Sequence, residues 1–153
     1  MQTFKEFYMM SESFDTKPAK WELVRDNDAG SIYRFNIDNN IYLVFFTTPM
    51  RDNKPTTVDF GIHDNKTNNV IYTMTDTGNA FEVLMTVLDT IRDYIDRKDP
   101  YGIVFSSRKA INDKDSKSRS NVYKRLIQKF APSQYKLNIA DKGFEVYYTL
   151  SKT

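Results

Sequence analysis

The stretch that decides the fold is TDTGNAFEVLMTVLDTIRDYI, Thr75–Ile95. Phe81, Leu84, Leu88, Ile91 and Ile95 recur at i, i+3, i+4 and i+7 spacings, with Val87 beside them. That period predicts an amphipathic helix with one buried face. Thr77 or Asn79 is placed to cap its start, and Pro100 to stop it. Between Trp21 and Met74 the apolar segments read as strands instead. A chain that changes period in this way specifies a sheet with helices laid on it.

Upstream, WELVRD opens as a strand and NDAG, residues 27–30, turns the chain. SIYRFNI alternates, with Tyr33, Phe35 and Ile37 on one face. IYLVFFTT is apolar on both faces, which predicts a central strand. TVDFGIH alternates again, and VIYTMT follows after the polar turn DNKTNN. Short connections between successive strands predict an antiparallel meander. Downstream, YGIVFSS reads as a short buried strand and residues 108–118 as a polar loop. Val122, Leu126, Ile127 and Phe130 give a second helix over 119–130, closed by Pro132. YKLNIA and FEVYYTLSK end the chain as two strands joined at DKG.

The expected class is therefore α+β: a twisted, mainly antiparallel sheet with two packed helices. The expected core holds Tyr33, Phe35, Leu43, Phe45, Phe60, Ile62, Leu84, Leu88, Ile91, Val104, Leu126 and Phe130. At 153 residues, residues 14–153 form one domain. The apolar share is 40%, but ten Tyr and eleven Phe supply large buried areas.

The absence of Cys excludes a disulfide scaffold, a thiolate zinc site and a cysteine nucleophile. With one His, His63, no metal site is expected. No apolar run reaches the length of a membrane span and no signal peptide is visible, so no membrane partner is expected. The net charge of +2 decides nothing by itself. The basic residues are nevertheless gathered at 108–129, where only Asp113 and Asp115 oppose them. A solvated face is one reading of that run. Phosphate binding is another, with Arg108, Lys117, Arg119, Lys124 and Arg125 on a nucleic-acid backbone or on a nucleotide-type cofactor.

The element order of meander, helix, strand, helix, strand, strand resembles the core of the Gcn5-related N-acetyltransferase (GNAT) superfamily. The resemblance covers roughly residues 31–150. In that family the strand before the central helix splays from the strand after it. Acetyl-CoA enters the gap and its pyrophosphate rests on the helix N-terminus, where unpaired amides and the helix dipole favour an anion. The family signature Gln/Arg-x-x-Gly-x-Gly/Ala falls on Thr75–Ala80. Gly78 and Ala80 match, while Thr75 stands in place of Gln/Arg and Asp76 sets a carboxylate beside the phosphates. The resemblance implies Gly78, Asn79 and Ala80 as cofactor-binding residues, with Arg119 or Lys124 on phosphate. The turn reads equally as the plain start of a core helix.

In SRSNVYKRLIQKF, Tyr123 falls where the family often carries its general acid, a phenol that protonates the departing thiolate. Ser116 and Arg119 stand where the family has Asn and a small Ala. Tyr123 reads otherwise as an aromatic half-packed on the sheet. A general base is not evident on VIYTMT; Asp59 and His63 are the nearest titratable groups. The two-helix substrate lid of the family is missing, because only NDAG stands where it would be inserted.

The first residues, MQTFKEFYMMSE, resemble the capsid-targeting leader of internal proteins of large tailed bacteriophages. Met1, Thr3, Phe4, Glu6 and Phe7 match that pattern, and Gln2 stands for Lys. The leader would occupy residues 1–13 as a short amphipathic helix, with processing after Glu12. Together these features imply an accessory protein on an acetyltransferase-like scaffold, working by contact with a phage or host protein, in the host cytoplasm or the virion. The competing expectation is an acetyl-CoA-dependent N-acetyltransferase.

Overall fold

The computed structural model describes residues 17–64, 66–71, 80–108, 124–125, 127–129, 131, 133–143 and 145–152. Five strands come first: β1 (Trp21–Asn27), β2 (Gly30–Ile37), β3 (Asn40–Thr47), β4 (Thr56–Asp64) and β5 (Asn69–Ile71). Helix α1 (Ala80–Lys98) follows, then β6 (Gly102–Arg108), β7 (Tyr135–Asp141) and β8 (Glu145–Lys152). Between β6 and β7, helical geometry returns at Lys124, Arg125 and 127–129, here called α2. The strands form one sheet in the order β1-β2-β3-β4-β6-β8-β7, and β5 lies alongside β4. Every ladder is antiparallel except β4 with β6. The α+β class and the meander expected from the sequence are what the chain adopts.

Local chemistry fixes the hairpins. Between β2 and β3 only Asp38 and Asn39 intervene, both at positive φ (49° and 65°). That is the two-residue turn whose twist matches the flanking strands, and Asp and Asn tolerate it best after Gly. Between β1 and β2, Asn27 accepts from the amides of Ala29 and Gly30 on its Oδ1 (2.9 and 3.2 Å). A Cβ on Gly30 would sit 1.9 Å from the Phe46 carbonyl oxygen, so only glycine fits where these strands meet. The ladder of β1 slips by one residue between Leu23 and Arg25, a bulge that kinks the exposed edge strand.

Cross-strand pairing sorts side chains onto two faces. One face carries the rows Tyr33–Val44–Phe60, Phe35–Tyr42–Ile62 and Val58–Phe105–Tyr148. Helix α1 packs on this face with Val83, Leu84, Val87, Leu88, Ile91, Tyr94 and Ile95 buried. Ile127 of α2 is fully buried in the same cluster. Phe46 stacks on Tyr94 across the two layers (4.4 Å, 13°), and Phe105 stacks on Tyr148 within the sheet (5.1 Å, 18°). Buried hydroxyls on α1 are satisfied. Thr86 donates to the Glu82 carbonyl and accepts from the Ala19 amide, and Thr90 donates to the Val87 carbonyl.

Three expected core residues lie on the other face. Leu43, Phe45 and Val104 are half-buried opposite α1, and their neighbours Tyr42, Val44, Phe46, Ile103 and Phe105 fill the core. The reason is parity. With a two-residue turn, Phe35 pairs with Tyr42 rather than Leu43, and a slip of one residue inverts every side chain that follows. Tyr33, Phe35, Leu84, Leu88 and Ile91 are buried, and Phe60 and Ile62 pack partly buried against the core. Leu126 and Phe130 lie outside the described residues.

A polar clamp sets the register of α1. Asp89, Asp93 and Arg97 stand one turn apart. Asp89 accepts from the Trp21 indole (2.7 Å) and Asp93 from the Tyr33 hydroxyl (2.7 Å), while Arg97 pairs with Asp26 (2.9 Å). One helical turn of four residues advances about 6 Å and two strand residues advance about 6.7 Å, so the two ladders keep step. Trp21, Tyr33 and Asp26 belong to the strand rows of Ile62, Phe60 and Val58. Helix α1 therefore runs antiparallel to β4, with its N-terminus toward the C-terminal end of that strand.

Candidate functional site: the fork between β4 and β6

The parallel strands β4 and β6 are paired at Thr56↔Ile103, Thr57↔Val104 and Val58↔Phe105. Beyond Val58 they part. β6 stays on β8 as far as Arg108↔Glu145, while β4 runs on to Asp64. The lane left beside β4 is taken by β5, through Ile62↔Ile71, His63↔Val70 and Asp64↔Asn69. Among the described residues no ladder joins β5 to β6. The outcome is a fork opening toward the end of the sheet where α1 begins.

Turn chemistry explains why β5 folds back. The carboxylate of Asp64 accepts from the Lys66 amide (2.9 Å) and the Thr67 hydroxyl (3.1 Å). Those bonds, the Lys66 amide first, hold the Asp64 pKa below the usual carboxylate range. Asn68 sits at φ 57° and its amide donates to the Asp64 carbonyl (2.8 Å). His63 Nε2 pairs with Asn68 Oδ1 at 2.9 Å. His63, weighed from sequence as a base, uses that nitrogen to fasten the β4–β5 hairpin.

Asp59 stands at the crotch of the fork, the first β4 residue beyond the paired stretch. It lies opposite Phe45, on the face away from α1. Desolvation raises its pKa above the usual carboxylate value, which favours the protonated form.

The other residues singled out from sequence distribute as follows. Ala80 is the first residue of α1 and stands at the fork end of the helix, where Glu82 occupies the first turn. Gly78 and Asn79, expected with it as a pyrophosphate cradle, lie outside the described residues, as do Lys117, Arg119 and Tyr123. So does the leader at 1–13. Lys124 and Arg125 are exposed on α2. Arg108 ends β6 and is placed, by register, at the mouth of the fork. Between β1 and β2 the chain is the tight turn at Asp28 and Ala29, so no lid is inserted there. Among the described residues no group of three His, Cys, Asp or Glu could hold a metal ion. Nor is any described helix long and apolar enough to cross a membrane.

The antiparallel return of β5 onto β4 is the meander expected from the short polar turn between them; the parallel pairing of β6 with the start of the same β4 edge is what sequence reading missed. No family model matches the chain, nor does any curated protein or solved structure.

Proposed function

We propose that the chain is a phage-type accessory protein that works by binding another protein, on a scaffold resembling an acetyltransferase. The observation that carries the proposal is β5 lying along β4 at Ile62–Asp64. From Ile62 to Asp64 the β4 edge is taken by that strand and has no amides to offer an extended ligand. The tight turn at Asp28–Ala29 supports the same reading, because it leaves no second wall for an acceptor substrate. The resemblance of residues 1–13 to a capsid-targeting leader supports a role in the virion or the infected host cytoplasm.

One observation favours a second reading. The N-terminus of α1 points to the open end of the fork, and Asp59 waits at its crotch with a raised pKa. An acetyl-CoA-dependent N-acetyltransferase would use that end for pyrophosphate, with Gly78, Asn79 and Ala80 as cradle. Arg119 or Lys124 would sit on phosphate and Tyr123 would be the acid.

A melting experiment with acetyl-CoA separates the two. A ligand that binds only the folded state at a hundred times its Kd adds about 2.7 kcal/mol of stability. The proposal expects no shift of the melting temperature at millimolar acetyl-CoA; a concentration-dependent rise selects the enzyme. Mass spectrometry of purified virions tests the location. A form beginning at Ser13 is expected, and its absence from virions removes packaging.

A further inference from the structure

At the opposite end of the sheet, one helix length from the fork, lies a cleft of about 310 Å³. Its floor is the pair Tyr94 and Thr56, both buried, with their hydroxyl oxygens 3.5 Å apart. At that distance the mutual hydrogen bond is at its limit, so both hydroxyls retain capacity for a ligand. The Tyr94 ring cannot swing, because it is stacked on Phe46.

The main chain of the walls is tied at one point on each side. Thr48 donates its amide to the Ala29 carbonyl (3.0 Å), tying the β3–β4 loop to the β1–β2 turn. On the other side Lys152 donates its amide to the Tyr101 carbonyl (3.2 Å). That bond holds Tyr101 at the rim with half of its surface in solvent (51%). Main chain tied at these two points need not be ordered at the moment of binding.

Charge chooses the ligand class. Arg51 and Lys54 at the rim are balanced by Asp28 and Asp52. Lys98, the remaining cation, is already paired with Asp26 (3.1 Å). The closing turn of α1 adds the negative end of the helix dipole. A phosphate or other strong anion meets no net attraction here. A neutral ligand rich in hydroxyls meets carboxylates, cationic donors and two hydroxyls on the floor, each able to pair with an O–H group. The exposed Tyr101 ring offers a flat face whose negative quadrupole attracts the weakly positive C–H groups of a sugar ring. The volume is at the small end of ligand pockets, roughly 300–1,000 Å³.

We infer that this cleft is a binding site for a neutral saccharide of one or two rings, with Tyr101 as the stacking platform and Asp52 as a hydroxyl acceptor. The site is independent of the fork and of any reading placed on it.

Ligand-detected NMR on the full chain tests the inference, using glucose, galactose, N-acetylglucosamine and their disaccharides. Inorganic phosphate and diglycine serve as comparators. The expected result is saturation transfer to at least one neutral sugar with a millimolar Kd, roughly −4 kcal/mol of binding. Affinity should fall about tenfold or more in Tyr101→Ala and in Asp52→Ala, both at exposed positions, with the melting temperature unchanged. The inference is overturned if no neutral sugar binds by about 50 mM, well above that Kd. It is equally overturned if only phosphate or the dipeptide binds, or if sugar binding survives in Tyr101→Ala.

Discussion

Arg97 Nη1 lies 2.9 Å from Asp26 Oδ2, and that contact joins the last turn of α1 to the edge strand β1. The same guanidinium donates to the Tyr33 hydroxyl (2.6 Å) and to Asp93 (2.9 Å), and lies 5.8 Å from the Tyr33 ring centroid. The Tyr33 hydroxyl is therefore both donor and acceptor inside the network. Burial and the Asp93 carboxylate push its pKa far above the ordinary phenol value, so it stays protonated at any physiological pH.

Removing that one oxygen leaves Asp93 and Arg97 each short of a partner. Tyr33→Phe is expected to cost about 1.5–3 kcal/mol, the range for a buried hydrogen bond to a charged group. Urea denaturation should show a lower midpoint with an unchanged slope. A midpoint equal to the wild type would mean that the clamp contributes nothing to the seating of α1.

The clamp also gives a pH signature. Ser31 and Lys98 donate to Asp26, and with the charge of Arg97 they hold its pKa below the ordinary 3.8. A depressed carboxylate stabilises the fold above its unfolded pKa, and the contribution disappears as pH falls through the folded value. The melting temperature of Asp26→Asn should thus lie below wild type by a constant margin from pH 7 to about pH 5, and the margin should close below about pH 4. A margin that widens in acid contradicts the assignment.

Asp59 has the opposite sign. Its raised pKa means that ionisation works against the fold above that value, and the penalty is relieved as pH falls through it. Asp59→Asn should therefore match or exceed wild-type stability at pH 7 and lose any advantage in acid. Thermal melts at several pH values read this directly, and a clear destabilisation at pH 7 would refute it.

Three glycines should rank by geometry. Gly30→Ala drives a methyl group to 1.9 Å from the Phe46 carbonyl oxygen, within a strand pair that cannot spread. A cost of roughly 3 kcal/mol or more is expected. Gly102→Ala meets the Leu150 carbonyl at 2.7 Å and should cost less. At Gly143 nothing lies within 4 Å, so only its φ of +94° matters, at about 1–2 kcal/mol. Chemical denaturation of the three variants tests the order, and a Gly143 variant weaker than Gly30→Ala breaks it.

How much of this was legible in the sequence follows from these residues. The period change at Thr75 marked sheet and helix correctly, because burying one face leaves a periodic imprint. Leu43 and Phe45 were misassigned because IYLVFFTT is apolar on both faces, and the pattern alone has no parity there. The information sat instead in Asp38 and Asn39, whose two-residue turn fixes Phe35 opposite Tyr42. The clamp was less visible, since Asp26, Tyr33 and Arg97 are far apart in the chain and meet only once α1 lies antiparallel to β4. The short turn before VIYTMT made its antiparallel pairing with β4 legible; that β6 would pair with β4, and part from it, was not, because the strand expected to splay from β6 was VIYTMT.

The proposed function has the fork end of α1 working without a nucleotide-type cofactor. Titration of acetyl-CoA into the isotope-labelled full chain, followed at the backbone amides of Ala80 and Phe81, tests it most directly. The predicted result is no change of either amide at millimolar ligand, with the protein folded throughout. A saturable shift of these two amides, matched by a rise in melting temperature, would contradict the claim and make the fork a cofactor site.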